Sequence, residues 1–382
     1  MATSYDVGIN VEQIKYFQKK YATQLRRMSL AEQLSSEGAG DVVQKVTDLQ
    51  NTSWGQEVVL TMVPDSHGYG VVGDNRLQDR EDAITSYDQR LTYDRFRRAF
   101  INEGAEADRN TWLKFAQLAT EQLTFWQRDM RDRLLINTLS GIGYEFEVDG
   151  SSRDASCEWP QARFADHVAP PSANRHFQIT DDTGTIGDVD HSSLLAAHVP
   201  KWGTFIDMRA MLPMYRIKPV RGKYGNGSDL YVCLVHPYTM AQLKKDDDFQ
   251  KNWRDALARG EKNPLFMGAE TYLVDGILLI SHPYVYSTIG TASKWGGGSI
   301  DGTRALFLGA QALGMVELGS PTFKTRYDDY DNRMGISASV RFGMKKLQWP
   351  DQYASADNAG EDFGVVSLDF AISPVGNAPY RV

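Results

Sequence analysis

The stretch Leu230-Tyr231-Val232-Cys233-Leu234-Val235-His236-Pro237-Tyr238-Thr239-Met240-Ala241-Gln242-Leu243-Lys244-Lys245-Asp246 sets the class of this chain, because its pattern changes part-way. The first six residues are a continuous apolar, β-favouring run, and Pro237 bars further strand pairing. Met240 and Leu243, then Phe249, Trp253 and Leu257, recur mostly at the spacing of one helix face. Gly260 and Asn263-Pro264 supply the stop signals of that helix, and the exit continues Leu265-Phe266-Met267-Gly268-Ala269. Strand, helix and Gly/Pro-ended loop belong to an α+β chain. Nothing in this segment is catalytic.

Working outward, Gly309-Ala310-Gln311-Ala312 follows the apolar run Ala305-Leu306-Phe307-Leu308. Asp328-Asp329-Tyr330-Asp331-Asn332 leads into Gly335-Ile336 and a run ending Gly343-Met344-Lys345-Lys346, and Tyr87-Asp88-Gln89-Arg90 lies upstream. Taken in order from about residue 40 to 350, these stretches resemble the major capsid proteins of tailed podoviruses of the N-four-like type. Each motif alone is common; their shared order carries the resemblance. It implies an HK97-like phage capsid fold, with residues 1–52 as an N-terminal arm and 53–103 as an extended β-hairpin loop. Residues 104–204 are then a peripheral domain with a long spine helix and an irregular insertion, and 205–303 an axial α/β domain. Residues 304–382 are expected to return strands to the peripheral domain and end in a tail.

Composition sets wide bounds. At 382 residues the chain can bury a large core and form two or three domains. Eight Trp and eighteen Tyr suit either an extensive contact surface or an aromatic-rich core. No run approaches the ~18 apolar residues of a membrane span, and the start, Met1-Ala2-Thr3-Ser4-Tyr5-Asp6, does not read as a signal peptide. Two cysteines, Cys157 and Cys233, give no disulfide framework and are expected to be free. A net charge of -8 argues against a dedicated nucleic-acid binder but is compatible with a shell around DNA, which gains from not gripping phosphates.

Along the chain, Val11, Ile14, Phe17 and Tyr21 begin a helix-like pattern that Ala31 to Leu34 continue before Gly38-Ala39-Gly40 breaks it. Lys15, Lys19, Lys20, Arg26 and Arg27 make this arm basic: a DNA-facing patch, or simply a solvated helix face. Val58 to Val63 has strand composition, and Ala83 to Tyr93 forms a polar return arm. The Gly-rich middle between them buries little by itself, so it is expected either to lean on a neighbouring subunit or to be a surface loop. Tyr69, Asp74, Arg76, Arg80, Tyr87 and Arg90 are its candidate subunit-contact residues.

From Asp108 to Leu139, the residues Trp112, Phe115, Ala119, Leu123, Trp126, Met130 and Leu134 fall at three- and four-residue steps. They predict a helix about 45 Å long, with Asp129, Arg131, Asp132 and Arg133 on its exposed side and Gly141 beyond its end. Residues 144–204, with Pro160, Pro170-Pro171 and Asp181-Asp182-Thr183-Gly184, are expected to hold no regular core. Ile336, Ala338, Val340, Phe342 and Met344 alternate with polar residues as in a half-buried strand, and Val365 to Ile372 reads as another strand.

No catalytic, cofactor or metal residue is assigned. Gly222-Lys223-Tyr224-Gly225-Asn226-Gly227-Ser228 lacks the Lys-Ser/Thr ending of a phosphate loop and reads as a turn. Asp328 to Asn332 lacks the glycine and glutamate of a calcium loop. The seven histidines show no metal-ligand spacing; His191 and His198 are seven apart with no cysteine nearby. The expected function is structural and not enzymatic: a major capsid protein that self-assembles through hexamers and pentamers into an icosahedral head enclosing double-stranded DNA. The resemblance also implies a portal protein, a scaffolding protein and a decoration protein as partners. DNA contact is expected to be weak and non-specific, with no membrane contact. Assembly is expected in the host cytoplasm, and the protein ends in the virion. The alternative, resting on the Trp/Tyr and Asp/Glu content, is a carbohydrate-active enzyme or lectin-like protein.

Overall fold

The computed structural model describes residues 29–46, 57–62, 70–78, 80–81, 86–104, 115–221, 229–256, 271–330, 332–349 and 360–372. Two sheets and one long helix organise them. A six-stranded sheet runs β1 (Ser35–Ser36), β2 (Val43–Val46), β12 (Leu313–Glu317), β14 (Arg333–Lys346) and β13 (Thr322–Asp328), with β5 (Asp94–Ile101) on the other edge of β14. A seven-stranded sheet runs β7 (Ile186–Asp188), β6 (His176–Ile179), β17 (Val365–Ala371), β11 (Gly302–Leu308), β8 (Tyr231–Val235), β10 (Ile277–Ser281) and β9 (Thr271–Val274). Two two-stranded sheets stand apart: β3 (Glu57–Met62) with β4 (Tyr87–Thr92), and β15 (Gln348–Trp349) with β16 (Glu361–Asp362). The helices are α1 (Leu30–Gln33), α2 (Phe115–Ser140), α3 (Trp202–Met214), α4 (Pro237–Leu243) and α5 (Asp247–Ala256).

The apolar run at 230–235 forms the expected strand. β8 is buried at all five positions, as a strand in the sheet interior must be. His236 then caps α4 by accepting the Tyr238 N–H on Nδ1 at 3.2 Å. Proline at the first helical position is preset for that role. The one helix expected over this segment is two, because Lys244 to Asp246 form a turn before α5. The Gly260 and Asn263-Pro264 stop signals lie outside the described residues.

The long helix, α2, has 26 residues and is about 39 Å long. Ala119, Leu123, Met130 and Leu134 of the expected stripe are buried, whereas Phe115 and Trp126 are half-buried. Its expected exposed side is corrected. Arg131 and Asp132 are each 1% exposed because the segment 29–46 covers them, and Asp129 and Arg133 are half-buried beside Tyr284 and Glu147. Gly141 at φ +69° ends the helix in the left-handed conformation that favours glycine.

Residues 144–204 also differ from expectation. They contribute β6 and β7 to the larger sheet and bury Tyr144, Phe164, Phe177, Ile179 and Leu194. Short strands and 3-10 turns carry no long period, so a pattern search passes over them. Similarly, β11 and β17 lie within the stretch expected to return to the peripheral domain, yet they pair with each other inside the seven-stranded sheet. Cys157 and Cys233 are both free. Among the described residues no helix is long and apolar enough to cross a membrane.

Candidate assembly surfaces

The β3–β4 hairpin is fastened to the body of the subunit by one face. Its strands pair antiparallel from Glu57 opposite Thr92 to Met62 opposite Tyr87. Val58, Leu60 and Leu91 are buried with Val46, Val316, Leu347 and Phe363, so period-two alternation fastens one face to the body. The Gln89 side-chain amide donates to the Gln348 carbonyl at 2.8 Å, and Lys345 Nζ donates to the Arg90 carbonyl at 3.2 Å. Gly343 allows this close crossing, since a Cβ there would collide with the Thr92 carbonyl.

Between these strands the described residues 70–78 and 80–81 are exposed apart from Val71, and they include two large apolar side chains, Val72 (80%) and Leu77 (57%). Asp74, Arg76 and Arg80 are exposed there as well, with Arg76 bonded to Gln78. Tyr87 is half-buried on β4, and the exposed Arg90 lies 3.9 Å from Glu57. The described contact candidates thus lie along β4 and among residues 74–80. Tyr69 lies outside the described residues, as do Lys15, Lys19, Lys20, Arg26 and Arg27 of the arm.

The segment that begins at Ser29 is anchored firmly. Asp132 accepts from the Ser29 hydroxyl at 2.8 Å and the Ala31 N–H at 3.1 Å. Burial raises its pKa, and those two bonds oppose the shift. Beside it, Arg131 reaches Glu32 at 2.8 Å and Glu317 at 2.6 Å, while Lys45 pairs with Glu317 and lies 3.6 Å from Glu32. Burial pushes the Glu317 pKa up, but the Arg131 and Lys45 charges outweigh it and bring the group down to about 2. Two acids and two bases thus tie α1, β2, α2 and β12 into one charge-balanced, largely buried cluster.

A groove of about 900 Å³ opens along β5, which pairs only with β14 among the described residues. Arg95, Arg97, Arg98 and Lys324 line it against Asp94 and Glu158, an excess of two positive charges. Arg98 lies over both Phe100 (5.3 Å) and Trp126 (5.9 Å). Charged side chains on an unpaired strand edge also discourage uncontrolled strand addition.

One constellation was not legible in sequence. His176 Nε2 and His191 Nε2 each lie 2.7 Å from Asp369 Oδ2, on β6, a 3-10 turn and β17. Arg304 on β11 holds the same carboxylate, Nε to Oδ1 at 2.8 Å and Nη2 to Oδ2 at 2.9 Å. Burial alone would raise the Asp369 pKa; the Arg304 charge and these bonds hold it well below the usual carboxylate range. The two histidines are fifteen residues apart and the aspartate is far downstream, so no spacing rule finds the set.

Comparison with known proteins places the chain in a family. The phage capsid protein family matches residues 6–373. The chain belongs to the phage capsid protein family. The major capsid protein of Pseudomonas phage KPP25 is 34% identical over 362 residues, covering 94% of each chain. The capsid of Ralstonia phage GP4 superposes with a TM-score of 0.72 at 20% identity, covering 90% of this chain and 91% of the other. The capsid of cyanophage Pam1 gives 0.68 at 18% identity, covering 91% and 93%. The capsid of Helicobacter pylori bacteriophage KHP30 gives 0.61 at 15% identity, covering 90% and 92%. The chain has the HK97-like capsid fold and is a major capsid protein of a phage. This structural family displaces the carbohydrate-binding alternative.

Proposed function

We propose that this capsid protein forms hexamers and pentamers that close an icosahedral head around the double-stranded DNA of a tailed phage, with assembly in the host cytoplasm. The observation that carries the reading is the β3–β4 hairpin, with one face fastened to the body and the exposed Val72 and Leu77 between its strands. Exposed apolar side chains of one subunit gain burial when a second subunit covers them.

Charge favours a particular seat. Residues 63–86 hold Asp65, Asp74, Asp79, Glu81 and Asp82 against Arg76 and Arg80, five acids to two bases. The β5 groove has the opposite balance. Each subunit's loop then docks on a neighbour's groove, a head-to-tail contact that closes into rings when the rotation permits. Tyr69, Asp74, Arg76, Arg80, Tyr87 and Arg90 are the contact residues of this proposal. Lys15, Lys19, Lys20, Arg26 and Arg27 are its DNA-facing patch, weak and salt-sensitive as phosphate contacts of a net-acidic protein must be. Portal, scaffolding and decoration proteins are the further partners that the family resemblance implies.

Deleting residues 66–82 tests it. The shortened protein should keep the circular dichroism spectrum of the intact subunit but sediment as subunits, where the intact protein gives shells by negative-stain microscopy. Normal shells from the deleted protein would overturn the role of the loop.

A further inference from the structure

We propose that His176, His191 and Asp369 bind one divalent cation of the zinc class, tying residues 176–193 to β17. The three ligand atoms lie within 4.8 Å of one another and come from three segments of the chain. Two imidazole nitrogens and one carboxylate oxygen are a donor set that zinc takes, with water in the fourth position. The side chains of His176 and His191 are 16% and 34% exposed while Asp369 is fully buried, so the open side of the set faces solvent.

Hydrogen bonding alone serves this cluster poorly. Asp369 Oδ2 would accept from both rings and from Arg304 Nη2, three donors on one oxygen with two lone pairs. One cation among the three atoms replaces both ring N–H bonds, with each imidazole carrying its proton on Nδ1 instead. The ligands are also pre-oriented. His191 stacks on Trp295 with centroids 4.2 Å apart and planes at 4°. Arg304 fixes the carboxylate and is itself held by the Ser140 carbonyl at 2.7 Å. Outer partners of this kind set ligand geometry.

Arg304 also opposes the cation, because its charge already neutralises Asp369. Affinity should therefore fall below that of the same donors without an arginine, while the two neutral imidazoles keep the site selective for zinc over magnesium or calcium, which prefer oxygen. The structural gain is clear. β6 and β7 have four and three residues, and a metal cross-link would lock these short strands against the sheet. The site lies within a single chain and does not depend on the docking proposed above.

Full-length protein stripped with chelator and dialysed against Zn²⁺ should retain about one ion per chain and melt several degrees higher than the stripped form. Co²⁺ in place of zinc should give the intense visible bands of a four-coordinate site. His191→Gln keeps a donor for Asp369 but loses a strong ligand; it should bind at least about tenfold more weakly, with unchanged far-ultraviolet circular dichroism. His167→Ala, outside the cluster, should bind as the wild type does. Wild-type protein that holds no zinc, melts equally with and without it, or gives only six-coordinate Co²⁺ bands overturns the site, whether or not His191→Gln folds. Equal binding by His191→Gln and wild type overturns it as well.

Discussion

The two halves of α2 obey different rules. From Phe115 to Phe125, Ala119, Leu123 and Thr124 are buried, with Ala119 and Leu123 against Phe323, Ile336 and Ala338 of one sheet, while Gln117, Leu118, Gln122 and Phe125 are exposed. From Met130 to Ser140 every residue except Arg133 is buried. There the helix shares a core with Leu30, Ala31 and Leu34 on one side and Tyr144 and Phe164 on another. The first half is governed by apolar spacing; the second is governed by which polar groups find partners. Arg131 and Asp132 look like surface residues in sequence and become interior residues because the chain returns over them.

Mutations put that contrast under load. Arg131→Ala should have the largest effect, about 3–5 kcal/mol by denaturant unfolding of the subunit, because it takes from the buried Glu32 and Glu317 the guanidinium they share. If it costs no more than a surface change, the second half is solvated after all. Acid should produce a comparable loss. Glu317 is lowered from 4.5 to about 2 in the folded protein, so its contribution is complete above about pH 4.5 and is lost as pH falls through about 2, on the order of 3 kcal/mol. Glu317→Gln should remove that part of the acid dependence, and an unchanged pH profile would show that the pair is not buried.

Asp132→Ala should cost less, about 1–3 kcal/mol, since it strands the Ser29 hydroxyl and the Ala31 N–H but also relieves a buried carboxylate. Gln122→Ala, on the exposed face of the first half, should change stability by under about 0.5 kcal/mol. Equal effects from Asp132→Ala and Gln122→Ala would erase the distinction between the halves.

Local pattern was enough for a good part of this molecule. The interior strand β8 and the His-Pro entry to α4 were legible because an apolar run and a helix N-cap each need only neighbours in sequence. The alternation in β14, the run of β17 and the stripe of α2 were legible for the same reason, as were the hairpin strands β3 and β4. The ordered motifs sufficed for the capsid fold. Other features exist only once the chain has folded back on itself. Whether Arg131 faces water depends on segment 29–46, about a hundred residues away, and no period in the helix encodes that cover. The strands β6 and β7 are too short to show a period and are fixed by pairing, β6 along the edge of β17 and β7 along β6. His176, His191 and Asp369 meet because three separate segments converge on one carboxylate, and only the folded chain brings such distant groups within bonding distance.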